Sequence, residues 1–357
     1  MSKAAELAAL IGSQSALSNR NMVINGAAEV YQRGASATAH NSYSVDRWQI
    51  KNTSGATCTH EQSTDAPAPF KNSIKYTAGG TSCTAAQVAG IAQRMEGTTI
   101  TSIGLGTSAA KPVTLSFYVK SSVTGTYAVS LRNNDTDLSF VNTYSISSAN
   151  TWEFKTVTFD ARTSGTWLTT TGIGVRLWFD LGSGDNFNGT AGQWTASANH
   201  LTVSNQADVV GTSGATWFVT GVQLEIGEQA TPFEHRSFGD ELLACQRYYE
   251  HTYPYGTAPG AANGGIGADH RYVGRETANN YGYYTAHYRV EKRAAPTVTV
   301  YSYAGTANQI GHGDTGADSG AVGVIQSGTT SFLPRNTSGS GVSARALMYH
   351  FKADAEL

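Results

Sequence analysis

The chain has 357 residues, of which 40% are hydrophobic, 10% are aromatic and only 14% are charged, and its formal net charge is −2. The apolar and aromatic content excludes a disordered chain. The sequence holds no Lys/Arg cluster of the kind that neutralises phosphates, so nucleic acid is not an expected partner. The longest apolar run falls far short of the roughly 20 residues that span a bilayer, so no membrane insertion is expected.

Residues 1–20 have a helical character, because Leu7, Leu10, Ile11 and Leu17 fall on or beside one face of a helix over residues 4–18. A helix this short is marginal alone in water and needs a partner. The segment is predicted to serve attachment or oligomerisation, either in a bundle of sister chains or in a groove of another protein. A frayed terminus is the alternative. No convincing secretion signal is present, so the chain is expected to stay in the cytoplasm in which it is made or to leave by another route, such as cell lysis.

Residues 21–236 alternate between apolar and polar side chains, which is typical of strands with one buried face. The clearest stretches are residues 113–120, 127–131, 173–181 and 218–226. In residues 152–159 the alternation slips once, which predicts a β-bulge. Many short strands separated by turns, with no helices between them, predict an antiparallel jelly-roll β-sandwich.

The character of the chain changes at residue 237. All six Trp precede this point, and twelve of the eighteen Tyr follow it. A short helix is predicted around residues 240–249, with Asp240 as its N-cap. Strands are predicted at residues 283–290, 297–303 and 344–351. Residues 237–357 therefore form a second, smaller β-domain, so the fold class is all-β with two sandwich domains and a short N-terminal helix.

Three cysteines, Cys58, Cys83 and Cys245, are an odd number without metal-ligand spacing. Cys58 and Cys83 would be able to pair if their strands were neighbours. Because no secretion signal is present, free and partly buried thiols are the favoured interpretation.

Three stretches resemble the fibre and tail-tip proteins of tailed bacteriophages, which carry a jelly roll like that of carbohydrate-binding modules. The first is residues 21–34 (NMVINGAAEVYQRG) followed by residues 43–48 (YSVDRW). The second is residues 217–236, and the third is the predicted helix after residue 240 together with the C-terminal residues 353–357 (ADAEL). The resemblance implies a homotrimer that attaches to other virion proteins through its N-terminus and meets the host surface with its distal domain.

Some jelly rolls of this kind hold a calcium ion between a first segment like residues 21–29 and an acidic residue on the last strand. Glu29 matches the glutamate of that first segment. On the last strand, however, Thr220 and Gly221 occupy the two positions at which acidic residues would be expected. A hard cation needs six or more oxygen ligands. A solvent-facing Glu29 is therefore favoured, structural calcium remains the alternative, and no cofactor or metal site is predicted.

Catalytic motifs are not evident in the sequence, so the chain is predicted not to be an enzyme. A Gly-x-x-x-x-Gly-Lys-Ser/Thr phosphate-binding loop, a nucleophile elbow and a His-Glu-x-x-His motif are all missing. Asp160, Asp180 and Asp185 would be able to supply the carboxylate pair of a polysaccharide depolymerase, which is the least favoured alternative.

A Tyr-rich stretch between residues 248 and 288 is the candidate recognition surface. Tyrosine offers a flat apolar face and a hydroxyl at low conformational cost, and sugar rings stack on such faces. The candidate glycan- or receptor-binding residues are those expected in loops, together with a neighbouring arginine: Tyr253, Tyr255, Tyr272, Tyr281 and Arg271. Packing of these rings in a small core or a trimer interface is the alternative.

The function expected from these features is that of a structural virion protein, a trimeric tail fibre that binds a host surface polysaccharide or another receptor and is assembled in the host cytoplasm. Three weak sites on one trimer would gain avidity. A capsid decoration or head-fibre protein is the main alternative. A cellular glycan-binding module is a third, and it predicts a secretion signal or a catalytic neighbour domain.

Overall fold

The computed structural model describes residues 19–34, 36–196, 199–262, 271–275, 285–312, 318–336 and 346–357. The chain divides into two compact units. The first comprises the described residues up to Glu29, those from 36 to Phe238, and Leu357. The second comprises Val30–Gly34 and the described residues between Gly239 and Glu356. The sequence placed the division after residue 236 and did not assign residues 30–34 to the second unit. The predicted N-terminal helix lies outside the described residues.

The first unit is a sandwich of two six-stranded antiparallel sheets. Its strands are β1 (Ser36–Ala37), β2 (Gln49–Asn52), β3 (Thr59–Ser63), β4 (Ser73–Thr77), β5 (Ala89–Glu96), β6 (Val113–Ser121), β7 (Gly125–Arg132), β8 (Leu138–Ile146), β9 (Glu153–Phe159), β10 (Ile173–Asp180), β11 (Gln193–Ala196) and β12 (Thr216–Ile226). Sheet A has the order β1-β3-β4-β12-β6-β9, and sheet B has the order β11-β8-β7-β10-β5-β2. Since the chain passes repeatedly from one sheet to the other, the predicted jelly-roll sandwich is confirmed.

Helices are short in this unit. The helix α1 (Gly97–Ile100) and a 3₁₀ turn (Thr101–Ile103) follow β5, and a second 3₁₀ turn (Asp185–Phe187) follows β10.

Aromatic rings fill the space between the two sheets. Phe179 of sheet B contacts Phe117 of sheet A edge-on, with the ring centroids 5.1 Å apart, and it lies 5.5 Å from the ring of Trp217. Trp48 and Tyr144 complete this cluster, and all five side chains are buried. Each such burial contributes roughly 1.5–3 kcal/mol, so these inward positions of the predicted alternation hold the sheets together.

The predicted bulge in residues 152–159 is wrong. β9 pairs with β6 without a shift in register. The apolar residue that breaks the alternation, Phe154, is 50% exposed and lies on the outer face. There it stands directly opposite Tyr118, and the ring centroids are 5.0 Å apart. A cross-strand aromatic pair on the solvent side therefore explains the slip.

Register shifts occur instead in β10, between Ile173 and Val175, and in β12, between Thr220 and Gln223. In the second of these, Gly221 has a φ of +61° and lies against the ring of Phe70. A left-handed backbone in close contact with a ring is a position for glycine.

The segment from Asn21 to Gly26 is bound to the end of β12. The Asn21 carboxamide accepts hydrogen bonds from the backbone N–H groups of Val23 and Leu224, at 2.9 and 3.2 Å. The Gly26 carbonyl accepts one from the Val222 N–H at 3.0 Å. A Cβ atom at Gly26 would lie 2.1 Å from the Val222 oxygen, so only glycine allows this approach. The first stretch of the resemblance thus has a structural role.

The second unit is a smaller β-domain whose strands belong to one eight-stranded antiparallel sheet. It contains the helix α2 (Phe238–Gln246), which begins in the first unit, and the strands β13 (Tyr249–His251), β14 (Arg271–Arg275), β15 (Ala286–His287), β16 (Thr297–Tyr301), β17 (Gln309–His312), β18 (Asp318–Ser327), β19 (Ser331–Asn336) and β20 (Ala346–Asp354). β20 is central: one half pairs with β13 and β16, and the other half pairs with β14 and β17. Buried aromatic residues, among them Phe332, Tyr349 and Phe351, form its core.

Helix α2 begins earlier than predicted. Asp240 lies inside its first turn rather than at the N-cap. An acidic residue in the first turn is still favourable, because it faces the positive end of the helix dipole. Tyr249 is in β13, not in the helix.

Candidate basic groove on sheet B

A concave groove of about 340 Å³ lies on the face of sheet B that points away from sheet A. The strands β2, β5, β10 and β7 form its floor, and loop residues such as Ala86, Thr136 and Asn199 also line it. Ligand pockets in proteins commonly begin at about 300 Å³. The groove is therefore large enough for a small ligand or a segment of a polymer.

Five basic residues line the groove. Arg176 of β10 stands directly opposite Arg94 of β5 on one side and Arg132 of β7 on the other. Neighbouring strands lie roughly 4.8 Å apart, so the three arginines form a row about 10 Å long across the sheet. Lys51 of β2 and His40 lie on the same side. The described residues that line the groove include no Asp or Glu.

Apolar side chains cover the rest of the groove. Ala92, Trp178 and Leu201 form a small buried cluster, with Val88 and Phe187 packed against it. Trp178 is only 2% exposed, so its ring supports the neighbouring side chains and is not a free stacking surface. The Arg132 guanidinium lies 5.6 Å from the centre of that ring, a cation–π contact that helps to fix the arginine.

Lys51, Arg132 and Arg176 are hydrogen-bonded to neutral oxygen atoms. Lys51 donates to the side-chain oxygen of Asn41, and Arg132 donates to that of Asn199. Arg176 donates to the Asn134 carbonyl at 3.0 Å, and Arg94 donates to the main-chain oxygen of Leu357. These bonds orient the side chains, but the amide and peptide oxygens that Lys51, Arg132 and Arg176 contact do not neutralise the charge of those three groups.

Burial, with the proximity of the other cations added, lowers the pKa values of Lys51, Arg132 and His40. Burial, with the charges of Arg94, Arg176 and Arg132 added, lowers the pKa of Lys51 to about 7. Burial and the two neighbouring arginines also lower the pKa of Arg132. Burial and Lys51 lower the pKa of His40 from its ordinary value of 6.5. The groove is therefore a site of positive potential in which added positive charge is unfavourable.

Asp180, one of the three aspartates considered for a depolymerase, stabilises the fold through hydrogen bonds within the chain. It is fully buried beneath Trp178 and accepts hydrogen bonds from the Trp178 indole at 2.7 Å and from the backbone N–H groups of Gly182 and Ser183. Burial raises its pKa. Asp160 directly follows β9, and Asp185 begins the second 3₁₀ turn. Both are exposed.

The Tyr-rich candidate surface is only partly as expected. Tyr253 lies in a bend after β13, but it is 5% exposed and stacks on the His350 ring with the centroids 4.2 Å apart, so the expected exposure is wrong. Tyr272 and Arg271 lie in β14 rather than in a loop. Tyr255 is 43% exposed, and its hydroxyl accepts a hydrogen bond from the Tyr31 N–H at 3.0 Å. Tyr281 lies outside the described residues.

The predicted attachment residues Leu7, Leu10, Ile11 and Leu17 also lie outside the described residues. In the part of the chain that the structure describes, no helix has the length and apolarity of a membrane span. The three cysteines are free thiols.

The calcium alternative does not fit the residues present. The Thr220 hydroxyl donates to the Asn72 carbonyl, and the Phe70 ring packs on Gly221. Within the described ranges no group of three or more His, Cys, Asp or Glu side chains is arranged to hold a metal ion.

No family model and no curated protein matches the sequence. Several solved structures are similar in fold. The enzymatically active domain of tailspike protein 4 from bacteriophage CBA120 is 14% identical, with a TM-score of 0.32, and the match covers 58% of this chain but only 22% of that chain. A protein described as sugar-binding from Bacteroides thetaiotaomicron is 13% identical, with a TM-score of 0.35 over 58% of this chain and 100% of that one.

A third similar structure is the family 11 carbohydrate-binding module of a cellulosomal cellulase from Clostridium thermocellum. It is 12% identical, with a TM-score of 0.28 over 55% of this chain and 98% of that one. Such identities and TM-scores are too low to transfer a function to this chain.

Proposed function

We propose that this chain is a binding protein that recognises carbohydrate through the basic groove on sheet B. The observation that carries the proposal is the groove itself: about 340 Å³, with a row of guanidinium donors beside an apolar floor. Sugars need both features, because their hydroxyl groups accept hydrogen bonds while their C–H faces pack on apolar surface. Ligand sites generally combine apolar walls with a few well-placed polar groups.

Recognition without hydrolysis is the activity that the groove supports. Glycosidases use two carboxyl groups on either side of the scissile bond. The described lining residues of the groove carry no carboxylate, so a sugar bound there would meet hydrogen-bond donors but not the carboxyl pair of a glycosidase.

We further propose that the chain acts on a phage particle, as a homotrimeric tail fibre whose N-terminal segment attaches to other virion proteins. The support for this part is the sequence resemblance of residues 21–34 and 217–236. The groove would then contact the polysaccharide of the host surface, and three copies on one fibre would bind with avidity. Labelled antibody on purified virions tests the position. Signal at the tail is expected, whereas signal on the capsid would contradict a tail fibre and support a capsid decoration or head-fibre protein.

Filling the groove tests the binding site. Ala86 is an exposed lining residue, so Ala86→Trp is expected to block the groove without removing a core side chain. Binding of the full chain to an oligosaccharide array is measured for the wild type and the variant, and the variant is expected to lose at least roughly tenfold in affinity. Ala149→Trp, at an exposed turn before β9, is the matched control and should bind as the wild type does. The proposal fails if the wild type binds no glycan on the array, or if Ala86→Trp binds as tightly as the control.

A further inference from the structure

The row of arginines on sheet B carries an electrostatic cost that the fold does not require. Arg176 faces Arg94 on one neighbouring strand and Arg132 on the other, and like charges directly opposite each other destabilise a sheet. Arg132 is 7% exposed, so water screens it poorly. A polar or apolar side chain at position 176 would avoid the repulsion.

Side-chain carboxylates of this chain do not remove that cost. In the part of the first unit that the structure describes, no ion pair is formed by Lys51, Arg132 or Arg176. The charges of Asp135 and Asp180 reach Arg176 and Arg132, but neither carboxylate lines the groove. The groove therefore keeps an excess of positive charge.

The charge is local to this groove. The whole chain carries a formal net charge of −2, so the row does not reflect a generally basic protein. A second cavity of the same unit, of about 170 Å³, has the opposite lining: Asp185 and Asp208, with no Lys or Arg among its described lining residues.

We propose that the groove selects glycans that carry negative charge, and that Arg94, Arg132 and Arg176 hold a carboxylate or phosphate group of the sugar. This inference deepens the proposed function and rests on it. A guanidinium group matches a carboxylate or a phosphate with two parallel hydrogen bonds. The partly exposed apolar side chains of the groove, Val88 and Phe187, then face the C–H side of the same sugar. An uncharged sugar would leave the repulsion in place, whereas an anionic one offsets it.

The nature of the charged group is distinguished by matched probes. Oligogalacturonate, sialylated and phosphorylated oligosaccharides are titrated into the full chain by calorimetry, each beside its neutral parent. At least one acidic member is expected to bind roughly tenfold or more tightly than its neutral parent, and this difference should shrink as salt is raised. Inorganic phosphate alone should compete only at a large excess, because it lacks contacts with the apolar floor.

Arg176→Gln tests the row directly. The variant should lose roughly tenfold in affinity for the acidic probe and change little for the neutral parent. Because the substitution removes repulsion, its melting temperature should equal or exceed that of the wild type, which separates a binding effect from misfolding. Arg176→Lys retains the charge and should keep part of the affinity. Arg162→Gln, at a partly exposed arginine that does not line the groove, is the matched control.

The outcomes separate this inference from the proposed function. Equal binding of acidic and neutral glycans, still abolished by Ala86→Trp, overturns the charge selectivity and leaves glycan recognition standing. Displacement of the sugar by equimolar inorganic phosphate, or tighter binding of a single-stranded oligonucleotide than of any glycan, overturns the acidic-glycan class. Unchanged affinity of Arg176→Gln for the acidic probe overturns the role of the row.

Discussion

Replacement of Glu250 by alanine is expected to destabilise the second unit by about 3–5 kcal/mol. Glu250 forms an ion pair with Lys292 in which the Oε2–Nζ distance is 2.6 Å, and the two side chains are 1% and 0% exposed. The lysine also donates to the carbonyl groups of Gln246 and Val290. Without the glutamate, a buried ammonium group remains without its counter-charge, and burial already lowers the pKa of Lys292.

Hydrogen exchange measures this effect within the second unit. Protection of the amides of β13 and β20 should fall by a factor of roughly 10² to 10⁴. The double variant Glu250→Ala/Lys292→Met should recover most of the loss, because removing both charges leaves none unpaired. Glu61→Ala is the control: its partner is Lys75, both side chains are about 30% exposed, and it should change stability by less than about 1 kcal/mol. A loss below about 1 kcal/mol for Glu250→Ala would contradict the structural role of the pair.

Affinity for an acidic glycan is expected to fall about tenfold between pH 6 and pH 8. Lys51 in the free groove has a pKa of about 7, so it is charged at pH 6 and mostly neutral at pH 8. A bound anion favours the charged form and raises this pKa, so that binding above pH 7 requires uptake of a proton. Affinity is therefore highest below pH 7 and is lost as the pH rises through the free-state value.

Other groups that face Lys51 do not reproduce this profile. Burial and Lys51 lower the pKa of His40 below its ordinary value of 6.5, which moves its titration away from pH 7 to 8. The pKa values of Arg132 and Arg176, lowered by burial and neighbouring arginines to about 9 and about 10, remain above it. Lys51→Arg, which stays charged, should bind independently of pH from 6 to 8, and Lys51→Gln should bind weakly and equally flatly. An unchanged slope in Lys51→Arg would show that another group titrates.

The strands of the first unit were predictable because one physical rule governs them. Val113, Leu115, Phe117 and Val119 all face the core of a two-sheet sandwich, and a period of two reports this directly. The same rule failed at Phe154, since an aromatic residue on the solvent face has the hydrophobicity of an inward one. Hydrophobicity along the chain does not distinguish a buried ring from a cross-strand partner such as Tyr118.

The groove was not predictable from the sequence. Arg94, Arg132 and Arg176 lie on three strands that are distant along the chain, and in each strand the arginine reads as an ordinary outward-facing polar residue. Only the register of β5, β10 and β7 places them in one row. The Tyr-rich stretch attracted attention through local density, but density does not report burial, as the stacking of Tyr253 on His350 shows.

Chemical-shift mapping on the full chain tests the central claim, that the sheet B groove is the glycan site. The glycan with the highest affinity on the array is titrated into isotope-labelled protein. The largest shifts are expected in β2, β5, β7 and β10, with the side-chain signals of Arg94, Arg132 and Arg176 among them. Shifts confined to Tyr255 and the second unit, or to the outer face of sheet A around Phe154, would contradict the account.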